Sequence, residues 1–287
     1  MLLWGMSFVW TAIVLEFYQP VTVIFLRLVI STLFLFSWVW IFQKKERVQR
    51  KDYKLFFISA VLNPFFYFLG ENYGVKFTSP TISAVMIATI PLFASVVAYF
   101  KLKEKLNWIN VAGICISFVG VLIMLLNNNL QLDASLKGIF ALMIAVLSAV
   151  GYVIYLKILS NRYSPFFIIA IQNLIGLVYF LPLFLVFDFN QFILVEPPLT
   201  VIGSLIALSV LCSSFAFVAF TIATREIGVS KSNVFANLIP VFTGVFSFLV
   251  IGEELNLQKI LGIIIVVGGL FFSQIRKPIQ IGNFNRY

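Results

Sequence analysis

The sequence contains no histidine, and its two cysteines, Cys115 and Cys212, both lie inside apolar stretches. These absences argue against a His/Cys metal site and against a structural disulfide. Charge is scarce as well, with Asp, Glu, Lys and Arg at 11% of the 287 residues against roughly 25% in soluble domains. There is no Gly-rich nucleotide loop, no Ser/His or Cys/His set and no pair of intramembrane aspartates. Nothing therefore supports an enzyme or calls for a cofactor, and any uphill work must draw on a gradient rather than on ATP. The start, Met1-Leu2-Leu3-Trp4-Gly5, lacks the basic region and small-residue cleavage site of a signal peptide. It reads as the interior of a short first helix, as a late start or a truncated chain would leave it.

What is present is apolar surface. Hydrophobic residues make up 61% of the chain and mean hydropathy is +1.05, more than a soluble core can hide. A bilayer core about 30 Å thick takes roughly 20 residues of helix. Apolar runs between turn and charge punctuation give ten spans, at 2–18, 20–43, 54–76, 80–100, 107–126, 136–158, 165–187, 199–224, 231–251 and 257–275.

The excess of 20 Lys and Arg over 11 Asp and Glu falls in short runs between the spans, which indicates sidedness rather than a nucleic-acid partner. One set of alternating loops and the tail hold Lys44, Lys45, Arg47, Arg50, Lys51, Lys54, Lys101, Lys103, Lys105, Lys157, Arg162, Arg225, Lys231, Arg276, Lys277 and Arg286. The opposite loops keep Lys76, Lys137 and Lys259. By the positive-inside rule the first set is cytoplasmic, and both termini lie on that side.

The sequence also repeats itself. A shift of 149 positions aligns Phe66 with Phe215, Ser83 with Ser232, Pro91 with Pro240, Glu104 with Glu253, Asn107 with Asn256, Gly113 with Gly262 and Gly120 with Gly269. Apolar composition alone does not readily put Pro, Glu-x-Leu-Asn and paired Gly in one register. Five spans per copy is an odd number, so the second copy enters the bilayer from the opposite side. The expected fold is an all-α integral membrane protein of about ten transmembrane helices in two five-helix inverted repeats, over 1–130 and 131–276, followed by a polar tail at 277–287. That geometry belongs to secondary transporters, with substrate held near the midplane and access alternating as the halves rock.

Several residues carry the candidate site. Arg27 falls about 10 Å below the outer surface, where a charge costs on the order of 2.5–3.5 kcal/mol and must face protein or water. Glu71 falls at matched depth, about 8 Å below the same surface. The pair reads equally as a gate, as a guanidinium that receives a substrate carboxylate, or as a static brace. Asn63, Tyr67 and Glu71 recur every four residues and make one stripe, the best pocket wall, with Asn72 beside it. Tyr152, Tyr155, Gln172, Asn173, Ser213, Ser214, Asn233 and Asn237 complete the polar set, with interhelical hydrogen bonding as the plain alternative. Pro91 and Pro240 are expected to kink their helices. The glycine pairs are expected to serve close helix packing. Glu104 and Glu253 are expected to cap helices or pair with neighbouring lysines. Glu71 and Glu16 are the candidates for a coupling proton, and facilitated diffusion is equally compatible. The abundant phenylalanines suit an apolar cavity wall and serve equally for lipid contact or packing.

The run Trp4-Gly5-x-Ser7-Phe8, Pro20 with Arg27, and the twice-occurring stretch from Pro91 to Gly120 and from Pro240 to Gly269 resemble the drug/metabolite transporter superfamily. The likeness is to its bacterial ten-helix branch of paired EamA-type domains and covers nearly the whole chain. It implies a multi-pass inner-membrane carrier, often an exporter of amino acids or related metabolites, with a small-molecule substrate and the lipid bilayer as its partners. The alternative is a non-transporting membrane scaffold or accessory subunit. Neither oligomeric state nor substrate transfers with the resemblance.

Overall fold

The computed structural model describes residues 1–42, 46–93, 108–125, 134–228, 232 and 235–273, and every regular element among them is helical. The segments are α1 (Leu2–Leu15), α2 (Pro20–Phe42), α3 (Arg50–Phe77), α4 (Pro80–Phe93), α5 (Trp108–Leu125), α6 (Leu136–Ser160), α7 (Pro165–Phe192), α8 (Leu199–Glu226), α9 (Phe235–Ile251) and α10 (Leu257–Ser273). Of these, α2, α3, α6, α7 and α8 are long and apolar enough to span a bilayer, and the rest are shorter apolar helices.

The expected spans and the observed segments agree to within a few residues at most ends because the punctuation acts locally. Proline opens α2, α4 and α7, where its missing N–H costs no helix bond. Ser79 Oγ accepts from the Ile82 N–H at 3.3 Å and Ser164 Oγ from the Phe167 N–H at 3.4 Å, capping α4 and α7. Gly252, at φ 68°, ends α9 in the left-handed conformation that glycine adopts without penalty.

Inside the helices, periodicity breaks at paired places. In α3 a π-helical turn runs over Val61–Phe66 and Asn63 is extended, with φ −144° and ψ 119°. In α8, at the position related by the sequence repeat, Leu208–Ala216 is π-helical too. The regular part of α4 ends at Ala88, and a turn at Thr89 precedes Pro91. In α9 a 3-10 turn over Phe235–Leu238 precedes the α-helical part, and Pro240 sits in its first turn. Each proline thus stands just after a discontinuity, where no helix bond is lost to it.

Packing brings α3 against α6, α2 against α7, α5 against α10, and α1 against both α8 and α9. The α5–α10 contact is glycine-mediated. A β-carbon on Gly113 would lie 2.3 Å from the Ser273 backbone nitrogen, and one on Gly262 would lie 2.1 Å from Met124 Cγ. A β-carbon on Gly120 would lie 2.8 Å from Val266 and one on Gly269 2.6 Å from Ser117, so the two backbones approach over two helical turns. Many large apolar side chains point outward, Leu199 at 85% exposure and Trp40 at 80% among them. Acyl chains are the solvent that suits them.

Candidate functional site

The buried polar side chains gather in the middle of the bundle, where α2, α3, α7 and α8 meet. Arg27 is 1% exposed and held by three neighbours. Its Nε donates to Ser213 Oγ, its Nη1 lies 3.2 Å from Glu71 Oε2, and its Cζ stands 4.0 Å from the centroid of the Phe68 ring. A guanidinium held by a carboxylate, a hydroxyl and an aromatic face has exchanged its hydration for fixed partners. Arg27 and Glu71, expected from the sequence as possible partners, are thus in contact.

Behind the pair a chain of hydrogen bonds ties α2, α7 and α8. Asn173 Nδ2 donates to Ser31 Oγ at 2.8 Å and to the Ser213 carbonyl at 3.4 Å, and Ser31 Oγ lies 2.7 Å from Ser214 Oγ. A second relay runs from the Tyr152 hydroxyl to Gln172 Oε1 at 3.0 Å and from Gln172 Nε2 to Ser59 Oγ at 3.0 Å, linking α6, α7 and α3. Arg27, Gln172 and Asn173 stand behind the cavity wall rather than on it.

The cavity opens in front of Glu71. Its polar wall is Asn63, Tyr67 and Glu71 from α3 with Ser7 from α1. Trp4 and Phe8 of α1, Tyr152 of α6, and Phe217 and Phe220 of α8 add aromatic surface, and aliphatic side chains of α4, α6 and α9, Ile87, Ile90, Val153 and Ile239 among them, line the rest. Trp4 packs on both Phe217 and Phe220, each at 5.1 Å between ring centroids. The space open to the centres of water-sized molecules is about 60 Å³, room for a few waters. On the carboxylate, Oε2 is taken by Arg27, while Oε1 receives a single long bond, 3.2 Å, from the Tyr67 hydroxyl.

The i, i+4 stripe read from the sequence reaches this wall by a different route from the one it assumed. Asn63 is not part of a continuous α-helix, yet the break carries it to the same cavity as Tyr67 and Glu71. Asn72 turns away, donating from Nδ2 to the Phe68 carbonyl at 2.9 Å and leaving Oδ1 buried without a partner among the described residues. Asn237 is wholly buried beside the lining residues Ala236 and Ile239, and neither of its amide atoms has a partner among the described residues. Tyr155 lines a separate recess near Lys51 and Arg162. Glu16 is exposed at the end of α1. Asn233, Glu104, Lys44, Lys45, Lys101, Lys103, Lys105, Lys231, Arg276, Lys277 and the rest of the 277–287 tail lie outside the described residues.

Both ends of the bundle carry polar ties, several of which sequence reasoning missed. Asp188, at the end of α7, accepts from the N–H and the hydroxyl of Thr22, both at 2.9 Å. Glu253 accepts from Thr81 at 2.8 Å and pairs with Lys259 at 3.2 Å, the lysine pairing expected for it. At the other end Asp52 takes the Tyr163 hydroxyl at 2.7 Å and pairs with Arg162, while Glu46 Oε2 accepts from the N–H and hydroxyl of Ser164, each at 3.1 Å. Lys157 Nζ caps the carbonyls of Thr224 and Arg225 at 3.0 and 3.2 Å. Acidic residues beside loop hydroxyls gave the only sequence signal for these ties.

A bundle of apolar helices, five of them long enough to span a bilayer, defines a multi-pass membrane protein. The chain belongs to the EamA-like transporter family, whose model matches residues 1–126 and again 136–274. It is therefore a transporter of the drug/metabolite transporter superfamily. It is similar to an uncharacterized transporter of Archaeoglobus fulgidus, 23% identical over 95% of this chain and 94% of the relative. The uncharacterized transporter YoaV of Bacillus subtilis is 25% identical over 95% of this chain and 93% of that protein. A crystal structure superposes with a TM-score of 0.69, covering 96% of this chain and 97% of the other at 15% identity, which shows a shared fold.

Proposed function

We propose that the protein is a secondary carrier that exports a small amphipathic solute bearing an ammonium group, an amino acid or a similar metabolite, across a bacterial inner membrane. The observation that carries this reading is the composition of the cavity. Among the described residues its one charged wall residue is Glu71, and the surrounding surface is apolar, part aromatic and part aliphatic. An ammonium group entering from Trp4 and Phe217 would meet π faces first and then Glu71 Oε1, replacing the weak Tyr67 bond. Arg27 then serves to position Glu71 and to hold its charge, while Asn63 and Ser7 are left to bind the polar remainder of the solute.

Alternating access by two inverted five-helix units, 1–130 and 131–276, accounts for the transport cycle. Three observations support it: the family model matches twice, the helix interruptions recur at repeat-related sites, and the contacts of α2 with α7 and α5 with α10 join repeat-related helices. A cavity with room for a few waters must widen to admit an amino acid, so the units part on one side at a time. The Lys/Arg-rich ends and both termini are cytoplasmic. Glu71 is the group to take up a coupling proton, in a step of the cycle in which it is released from Arg27.

The test is uptake and efflux of radiolabelled amino acids and aliphatic or aromatic amines in proteoliposomes, for the wild type, Arg27→Ala, Glu71→Ala and Glu71→Gln. Saturable flux that Glu71→Gln abolishes in a folded protein is the expected result. Flux unchanged by Glu71→Gln would reduce the pair to a brace. No flux for any solute, with or without a proton gradient, would overturn the carrier reading in favour of an accessory role.

A further inference from the structure

A second recess lies away from the central cavity, at the end of the bundle where the α2–α3 and α6–α7 connections meet. Its volume is about 480 Å³, and its wall carries Lys51 and Lys54 from α3 with Arg162 from the α6–α7 connection. Leu55, Ile58 and Tyr155 line it as well, deeper in α3 and α6 than the charged residues are. The carboxylate in the recess is Asp52, 1% exposed, and both of its oxygens are occupied, one by Arg162 and one by the Tyr163 hydroxyl. Three cations therefore face one carboxylate that is already committed. Arg162 keeps 45% of its side chain exposed and spends one nitrogen on Asp52. Lys51 and Lys54 are both exposed. Below the charged rim the surface turns apolar, with Phe57 50% exposed on α3 and Ile154 54% exposed on α6.

We infer that this recess is a binding site for the phosphate headgroup of an anionic phospholipid, with the acyl chains lying along the exposed apolar faces of α3 and α6. The recess sits where helix meets connection, the depth of lipid phosphates in a bilayer. A cationic rim above an apolar wall matches a lipid in both charge and polarity, whereas a free anion has no use for the wall. The tyrosine at the boundary, Tyr155, has the amphipathic character that suits this depth. The lipid does not need to displace Asp52, because Lys51, Lys54 and the free nitrogens of Arg162 supply donors without it.

The experiment is native mass spectrometry and thermal unfolding of the full chain with phosphatidylglycerol, phosphatidylcholine and inorganic phosphate as probes. The wild type is compared with Lys51→Gln/Lys54→Gln, and with Lys76→Gln as a basic residue elsewhere. Each lysine removed is expected to weaken phosphatidylglycerol binding about fivefold, so the double variant loses about 25-fold while Lys76→Gln keeps wild-type binding. Phosphatidylcholine should be retained no more by the wild type than by the double variant. Equal phosphatidylglycerol retention by the wild type and the double variant would overturn the proposal. Stabilisation by inorganic phosphate equal to that by phosphatidylglycerol would overturn it too, in favour of a soluble-anion site. Both lysine side chains are exposed, and Lys51→Glu/Lys54→Glu provides a second variant in which binding should fall further.

Discussion

Replacing Arg27 by methionine isolates what the buried ion pair does. The side chain is 1% exposed and Glu71 is 4% exposed, so Arg27→Met leaves a carboxylate with room for only a few cavity waters to solvate it. Removing one partner of a buried pair costs about 3–5 kcal/mol, which for a chain of this size corresponds to a fall in Tm of roughly 10 °C. The double variant Arg27→Met/Glu71→Gln removes the stranded charge as well. Its glutamine still offers an acceptor to the Tyr67 hydroxyl, and Ser213 Oγ retains its own bond to the Leu208 carbonyl at 3.3 Å. The double variant should therefore recover about half or more of the lost stability, a coupling of about 2 kcal/mol between the sites. Thermal unfolding of detergent-purified protein, followed by tryptophan fluorescence and by size-exclusion recovery, measures it. Equal Tm values for the single and double variants, or a single variant as stable as the wild type, would refute the assignment of a tightly coupled buried pair. Transport separates from stability here: the double variant is expected to fold and not to carry solute, because no carboxylate remains in the cavity.

The remaining predictions concern packing and buried polarity. Gly269→Leu forces a side chain into Ser117 and the Gly113 carbonyl, and should lower stability by about 1–3 kcal/mol or separate α5 from α10, as read by thermal unfolding. Asn237→Leu removes two unpartnered amide atoms and is expected to raise Tm by a few degrees, since each orphaned buried group costs about 1–3 kcal/mol; transport that falls at the same time would place Asn237 in the transport cycle. Lys157→Met frees the Thr224 and Arg225 carbonyls at the end of α8 and should cost about 1 kcal/mol, visible as faster hydrogen exchange of the last turn of α8.

Hydropathy and local punctuation are enough to assign the bilayer as solvent, the number of apolar segments and most of their ends, because both act without reference to distant residues. Pro20, Pro80, Pro165 and Gly252 stop or start helices by backbone geometry alone. The Arg27–Glu71 pairing was also legible, since two opposite charges at one depth in hydrocarbon have few other partners. Tertiary structure decided which side chains face the cavity. A helical period places Asn63, Tyr67 and Glu71 on one stripe, but the extended Asn63 changes the phase of α3, and its place on the wall depends on how α3 packs against α6 and α7. Likewise Arg27 is turned from the cavity by Ser213 and Phe68, which lie 186 and 41 positions away in sequence and which no local pattern links to it. The ties made by Asp52, Asp188 and Lys157 stayed hidden for the same reason: each satisfies a hydroxyl or a helix end on a distant segment, and only the folded bundle brings donor and acceptor within reach.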